Sequence, residues 1–169
     1  MSNASLRRLE RADLEMLRAW RNDEGTRRFL FTRHEIDPAE HLAWFEATDA
    51  DPARHLLVFE LDGVPSGFVS IGPVRAGGIA DWGFYAAPGA PRGTGSQLGR
   101  AAVDHAFGTL GLHKLCGEAL AENSASLAFH ERLGFAREGV LVQQHFDGEG
   151  YHDIVRYGLL RPGTGAQDQ

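Results

Sequence analysis

Cysteine is all but missing: Cys116 stands alone among 169 residues, so no intramolecular disulfide can form and the fold must rest on its core. A chain of this length buries roughly 70% of the surface its unfolded form exposes, enough for a core with a cleft and no staple. Long apolar runs are lacking too. No stretch approaches the ~18 consecutive apolar residues of a membrane span, and the opening seventeen residues have no apolar segment of the secretory kind. A cytoplasmic protein without a membrane partner is expected. Basic surplus is the third absence, with 17 Lys and Arg against 23 Asp and Glu and a net charge of -6. That balance argues against nucleic acid as a partner, because affinity for a polyanion rests on a Lys/Arg excess. No repeat or low-complexity block interrupts the chain, so one domain over residues 1–160 is expected, followed by a fraying tail at 161–169.

What is present reads as alternating helix and strand signals. Asp13 is placed to cap a helix carrying Leu14, Leu17 and Trp20 and ending at Arg21-Asn22. Asp37, Pro38 and Glu40 form a capping box ahead of His41, Leu42, Trp44 and Phe45. Strands are expected at His55 to Leu61, at Gly67 to Ile71 after an Asp62-Gly63 turn, and at Ala80 to Ala86. Apolar residues recur at helical spacing from Ser96 to Leu110. A short strand from Leu115 to Leu120 then precedes a helix capped by Asn123 and stopped by Gly134. Val140 to Phe146 and His152 to Leu159 close the chain as a hairpin. This order predicts an α/β (α+β) domain on a mixed, mostly antiparallel sheet.

Pro91-Arg92-Gly93-Thr94-Gly95-Ser96 joins a strand to a helix, where exposed N–H groups and the positive end of the helix dipole favour an anion. Two glycines let the backbone approach a phosphate, and Arg92, Thr94 and Ser96 can add donors. A tight turn with no ligand satisfies the same spacing. Neither a Walker loop nor a full dinucleotide fingerprint is present, which points to a phosphate-bearing ligand other than ATP or NAD.

Arg92-Gly93-Thr94-Gly95, Ala106-Phe107, Leu112-His113-Lys114-Leu115, Asn123-Ser124-Ala125-Ser126 and Arg132-Leu133-Gly134-Phe135 together resemble, in order and spacing, the acetyl-CoA core of the GNAT superfamily of N-acetyltransferases. The resemblance implies the GNAT fold, a central sheet with a splayed pair of strands flanked by helices, and acetyl-CoA as co-substrate with no metal. It implies that the loop from Ala90 to Gly95 holds the CoA pyrophosphate, with Ala90 standing where the family usually has Gln or Arg. It also implies that the splayed strand from Trp82 to Ala87, including Phe84, Tyr85 and Ala86, holds the pantetheine arm and polarises the thioester, with Asn123 and Ser126 on the arm's far side. In the N-terminal half, Leu17-Arg18-Ala19-Trp20-Arg21-Asn22, Glu40-His41-Leu42-Ala43-Trp44 and Asp81-Trp82-Gly83-Phe84-Tyr85 look like the branch that acetylates the 4-amino group of UDP-linked sugars in pseudaminic acid biosynthesis. That branch is close to ribosomal-protein and polyamine N-acetyltransferases, so those acceptors are the alternatives. An acyl-CoA sensor without turnover is another, because fold and cofactor site do not ensure catalysis.

Amide formation from a thioester needs a neutral amine, a stabilised oxyanion and a proton for the departing thiolate. The family usually supplies that proton from a Tyr seven residues after the motif Asn, a position held here by His130, which could donate to sulfur or simply pack beside it. Glu118, on the strand next to the splay, is the candidate base; an exposed structural carboxylate fits the same position. Arg21, Asn22, His41 and Trp82 are the candidate acceptor contacts, and Arg21, Arg27 and Arg28 could meet a diphosphate together or remain solvated. A small-molecule amine is the expected partner, with a homodimer possible. Cys116 has no companion base for an acyl-enzyme, His145 and His152 lack metal-site spacing, and the three tryptophans read first as core.

Overall fold

The computed structural model describes residues 2–163, so the expected tail from residue 161 is described only in its first three positions and otherwise lies outside the described residues. The chain opens with a strand, β1 (Ala4–Arg8), a 3-10 turn at Arg11–Asp13 and helices α1 (Leu14–Asn22), α2 (Glu24–Arg27) and α3 (Pro38–Asp49). Strands β2 (His55–Leu61), β3 (Val64–Ile71) and β4 (Ile79–Ala86) follow. Helix α4 (Thr94–Asp104), which widens into a π turn at His105–Thr109, leads to β5 (Lys114–Leu120), α5 (Ser124–Arg132), β6 (Ala136–Phe146) and β7 (Tyr151–Leu160).

Local chemistry explains the boundaries that the sequence marks. The Asp37 carboxylate accepts the Glu40 N–H at 2.8 Å with Pro38 in the first turn of α3. The Asn123 side chain accepts the Ser126 N–H at 3.2 Å to start α5. Asp62 and Gly63, both at positive φ (52° and 78°), make the two-residue turn between β2 and β3. Asp13 departs from expectation. Its carboxylate makes no cap bond to α1; it accepts the Glu10 N–H at 2.8 Å and both Nη groups of Arg7 at 2.8 Å, tying the turn back to β1. Strand β1 and the four-residue α2 have no counterpart in the expected order, since a five-residue edge strand with Ala4 and Leu6 as its apolar residues and a single helical turn are too short to carry a periodicity.

The seven strands form one sheet in the order β1-β2-β3-β4-β5-β7-β6, antiparallel throughout except where β4 meets β5. Strand alternation divides the core. Leu57, Phe59, Val69, Ile71, Ala80 and Trp82 face α4 and α5, whereas Leu56, Val58 and Phe68 pack with Leu9, Leu17 and Phe45 under α1 and α3. Burial of each such side chain contributes about 1.5–3 kcal/mol, so helices on both faces pin the sheet between them.

Candidate functional site

The parallel contact between β4 and β5 lasts for three rungs, Ile79 with Lys114, Ala80 with Leu115 and Asp81 with Cys116, and then the strands part. Beyond Asp81, β4 stays on β3 and β5 stays on β7. The Gly72 N–H bonds to the Asp81 carbonyl at 2.8 Å and the Ala87 N–H to the Ser66 carbonyl at 2.9 Å, so odd-numbered residues of this stretch bond toward β3. Strand alternation therefore turns the backbone groups of Phe84 and Ala86 into the opening.

A cavity of about 710 Å³ occupies that opening. Its walls are Phe84, Tyr85, Ala86, Gly95 and Leu98 on one side and Glu118, Asn123, Ser126, Phe129 and Arg132 on the other. At its end lies the start of α4. Gly93 takes φ +92° as the residue before the helix, and the Thr94 hydroxyl donates to the Pro91 carbonyl at 2.6 Å. Thr94 is buried and its hydroxyl hydrogen is given to the Pro91 carbonyl, so it fixes the loop's shape and is not free to serve as the expected ligand donor. The N–H groups of Gly95 and Ser96 belong to the helix's first turn, where no intrahelical acceptor exists. A Cβ built on Gly95 meets no atom within 4 Å, so the cradle has room for a phosphate at backbone distance. Arg92 sits exposed on the same loop. The site as built fits the pyrophosphate and arm of a CoA-type ligand.

At the apex of the opening, the Trp82 indole N–H donates to His130 Nε2 at 3.2 Å, and His130 Nδ1 donates to the Ser126 carbonyl at 2.8 Å. His130 is 1% exposed, and burial holds its pKa below the ordinary histidine value. Both ring nitrogens are thereby committed, with none directed at a leaving sulfur. On the other face of the sheet, Glu118 lies 3.4 Å from Arg156, which also reaches toward Asp81 at 4.0 Å, and Asp81 pairs with Arg75 at 2.8 Å. Burial, and secondarily Asp81, raises the pKa of the Cys116 thiol, which disfavours the thiolate an acyl-enzyme would need.

A second cavity of about 440 Å³ shares Leu30, Phe31, Gly83, Phe84 and Tyr85 with the first and opens on the α1 and α3 side. Arg21 and His41 line it, Asn22 and Trp82 do not. Asn22 instead clamps the loop before α3, accepting the Ile36 N–H at 2.8 Å and donating to its carbonyl at 2.9 Å. Arg21 is 8% exposed; Nη2 donates to the Thr32 carbonyl, and Nη1 is buried with no partner among the described residues. Burial lowers the pKa of Arg21 and raises that of the neighbouring Tyr85 phenol. His41 stacks on Trp44 with centroids 5.1 Å apart, and burial, then Arg18 and Arg21, keeps its imidazole neutral further down in pH than usual. The three arginines do not assemble: the Arg28 cation lies over the Phe29 ring at 4.6 Å, and of the three only Arg21 lines this cavity among the described residues. Trp44, expected in the core, is 36% exposed on the cavity wall. Sequence reasoning missed the loop residues Leu30, Phe31 and Thr32, which wall the chambers from a stretch without periodicity.

The family profile described as an acetyltransferase (GNAT) domain matches residues 4–136. A spermidine N(1)-acetyltransferase of Vibrio cholerae is 33% identical over 70 residues, a stretch that covers 41% of this chain and 40% of that relative. The crystal structure of spermidine N-acetyltransferase from Vibrio cholerae in complex with CoA and spermine superposes with a TM-score of 0.87 at 26% identity, covering 93% of this chain and 95% of the other. An N-acetyltransferase from Staphylococcus aureus Mu50 superposes at 0.76 with 26% identity, over 94% of this chain and 99% of that one. The nucleotide-sugar branch expected from the N-terminal motifs is not among these relatives; the named acceptors are polyamines.

Proposed function

The chain belongs to the GNAT acetyltransferase family, and from that premise we propose that it transfers the acetyl group of acetyl-CoA to a primary amine by direct attack. The observation that carries this reading is the shared wall of the two chambers: Gly83, Phe84 and Tyr85 border both, so a thioester laid along β4 from the first chamber is within reach of an amine in the second. The α4 N-terminus and Gly95 receive the pyrophosphate, and the Phe84 backbone holds the arm and polarises the thioester carbonyl. Glu118 takes the amine's proton directly or through water. The new C–N bond forms as the carbonyl oxygen takes up charge; collapse then breaks the C–S bond and releases the thiolate, which solvent protonates. His130 does not supply that proton in this scheme, because neither nitrogen is available. Cys116, buried and raised in pKa, takes no part.

Two acceptor classes each have one observation behind them. The Vibrio cholerae relatives are named spermidine N-acetyltransferases, one of them solved with CoA and spermine, which favours a polyamine. The half-satisfied, buried Arg21 favours an amine whose scaffold carries anionic oxygens, as a nucleotide-linked amino sugar does. Thiol release measured with spermidine, spermine, an N-terminal peptide and a UDP-linked 4-amino sugar tests both. Turnover with any of them supports acetyl transfer; tight CoA binding with no turnover on any would overturn it in favour of a sensor.

A further inference from the structure

Where β4 and β5 part, two side chains pack together on one face of the sheet, and glycine makes the space for them. After the Asp81 and Cys116 rung, the next pair in register would be Trp82 and Gly117. A Cβ on Gly117 would lie 2.6 Å from His130 Nε2 and 2.8 Å from Trp82 Nε1. The indole and imidazole thus pack on the α5 face of the sheet across Gly117, in the volume that a side chain there would take.

The pair is held from every side. The His130 ring stacks on Tyr157 at 4.9 Å and 9° and meets Phe135 edge-on at 5.1 Å; Trp82 stacks on Phe135 at 5.5 Å and touches Phe84 at 4.4 Å. Hydrogen bonds run from the Trp82 indole through the imidazole to the Ser126 carbonyl at the start of α5. We propose that the Trp82–His130 pair is a strut that ties β4 to the start of α5 across Gly117, and that His130 is a positioning residue which holds the β4 backbone in place for the thioester arm. A carbonyl accepts only, so Nδ1 carries the hydrogen; the indole donates only, so Nε2 is bare. One neutral tautomer satisfies both partners, and a proton on Nε2 would set two donors against each other.

Among the described residues, the groups facing the ring are Trp82 and Phe84 from β4, Gly117 from β5, Ser126 and Phe129 from its own helix, and Phe135 and Tyr157. Of these only Tyr157 is ionisable, and its hydroxyl is turned toward Glu131 and Arg137 at 3.4 and 3.5 Å. No carboxylate touches the imidazole to hold a proton on it.

Long-range proton–nitrogen NMR of the histidine-labelled protein reads the tautomer directly, without ligand or turnover. The expected result is a neutral Nδ1–H ring for His130 at pH 7 and 8; an imidazolium at pH 7, or an Nε2–H ring, overturns the strut. Kinetics supply the second arm and rest on the acetyl-transfer reading. Trp82→Phe, which keeps the ring contacts and removes the indole N–H, and His130→Ala should raise the acetyl-CoA KM and the Kd of CoA by about tenfold while the acceptor KM stays within about twofold and the pH profile of kcat keeps its shape. His130→Gln, able to accept from the indole and donate to a carbonyl, should restore CoA binding to within about threefold of the natural protein. A fall in kcat with unchanged CoA binding, together with loss of a limb of the pH profile in His130→Ala, would identify a proton donor and refute the positioning role. If no amine is turned over, the tautomer and the CoA affinities still decide the strut.

Discussion

Replacing Gly95 by valine separates ligand binding from folding, because the two uses of the glycine loop fall on different residues. Gly93 holds φ +92°, a conformation in which an L side chain costs about 1–2 kcal/mol. Gly95 is already inside α4, has no positive φ, and a Cβ there meets no atom within 4 Å. Valine is a better helix former than glycine by a few tenths of a kcal/mol, so Gly95→Val should leave stability within about 0.5 kcal/mol of the natural protein. The same isopropyl group stands on the side from which a phosphate must approach the Gly95 and Ser96 N–H donors. Losing one or two charge-assisted bonds at about 1.5–3 kcal/mol each weakens CoA binding roughly ten- to a hundredfold or more. Gly93→Ala should do the reverse, lowering Tm by roughly 2–8 °C for the 1–2 kcal/mol of strain while it adds no bulk beside the donors. Calorimetric titration with CoA and thermal unfolding of both variants make the comparison. A folded Gly95→Val protein with native CoA affinity would refute the cradle, and a Gly95→Val protein that loses as much Tm as Gly93→Ala would refute the division of labour.

Other substitutions test the remaining chemistry. Glu118→Gln should lower kcat/KM at least about tenfold; a near-normal rate transfers the base role to water. The loop clasp built on His152, which bonds Asp147 at 2.6 Å and Glu122 at 3.0 Å, raises the pKa of that imidazole above its usual ~6.5. Its contribution is therefore complete below ~6.5 and is lost as pH rises through the raised value, so the Tm gap between the natural protein and His152→Gln should be wider at pH 6 than at pH 9; an equal gap counts against the clasp. His41, His55, His105 and His130 carry the opposite sign, since burial first of all lowers the pKa of each. The unfolded chain takes up their protons first as pH falls below ~6.5, so the urea midpoint of His152→Gln should drop between pH 7 and pH 5, and a flat midpoint contradicts the buried neutral state.

Local signals in the chain map onto local structure. The Asp37 cap with Pro38 behind it, the Asn123 cap, the Asp62-Gly63 turn and the Gly93 entry into α4 were readable because each rests on a few neighbouring residues with one dominant conformational preference, whereas the Glu40 carboxylate expected to complete a capping box bonds His34 at 2.7 Å instead. The turn from β4 into α4, where the CoA cradle is proposed, was legible as a turn for the same reason, and its ligand only through the family resemblance. The acceptor side was legible only in part. Leu17 and Arg21, four residues apart in α1, share its buried face, and that spacing was the available signal that Arg21 is not a solvated charge. Nothing in the order of residues 28–37 announced that Phe31 and Thr32 would wall the second chamber, since their placement depends on long-range ties such as Arg33 to Asp147 at 3.4 Å. His130 was found by position, but its tautomer depends on Trp82, 48 residues away, and on a carbonyl, neither of which a spacing reveals.

Charge in the second chamber bears on which amine it serves. Glu40 is the one carboxylate on its wall among the described residues, and it is bonded to His34 at 2.7 Å. The same chamber is lined by the Arg21 guanidinium, buried and with Nη1 unpartnered among the described residues. Two like unit charges about 6 Å apart at an effective dielectric of about 20 repel by about 3 kcal/mol, so a second ammonium of a polyamine near Arg21 is disfavoured by a term as large as one charge-assisted hydrogen bond. An acceptor with a phosphate or carboxylate oxygen in the same place gains what the polyamine loses. The two acceptor readings therefore predict opposite signs for one substitution: Arg21→Met, which keeps the apolar stem and removes the charge, should lower the KM for spermidine if polyamines are the acceptors and raise the KM for a UDP-linked amino sugar roughly ten- to a hundredfold if anionic amines are. Equal KM values before and after, for every acceptor that turns over, would place Arg21 in the scaffold and leave the choice to Glu40, His41 and the aromatic walls.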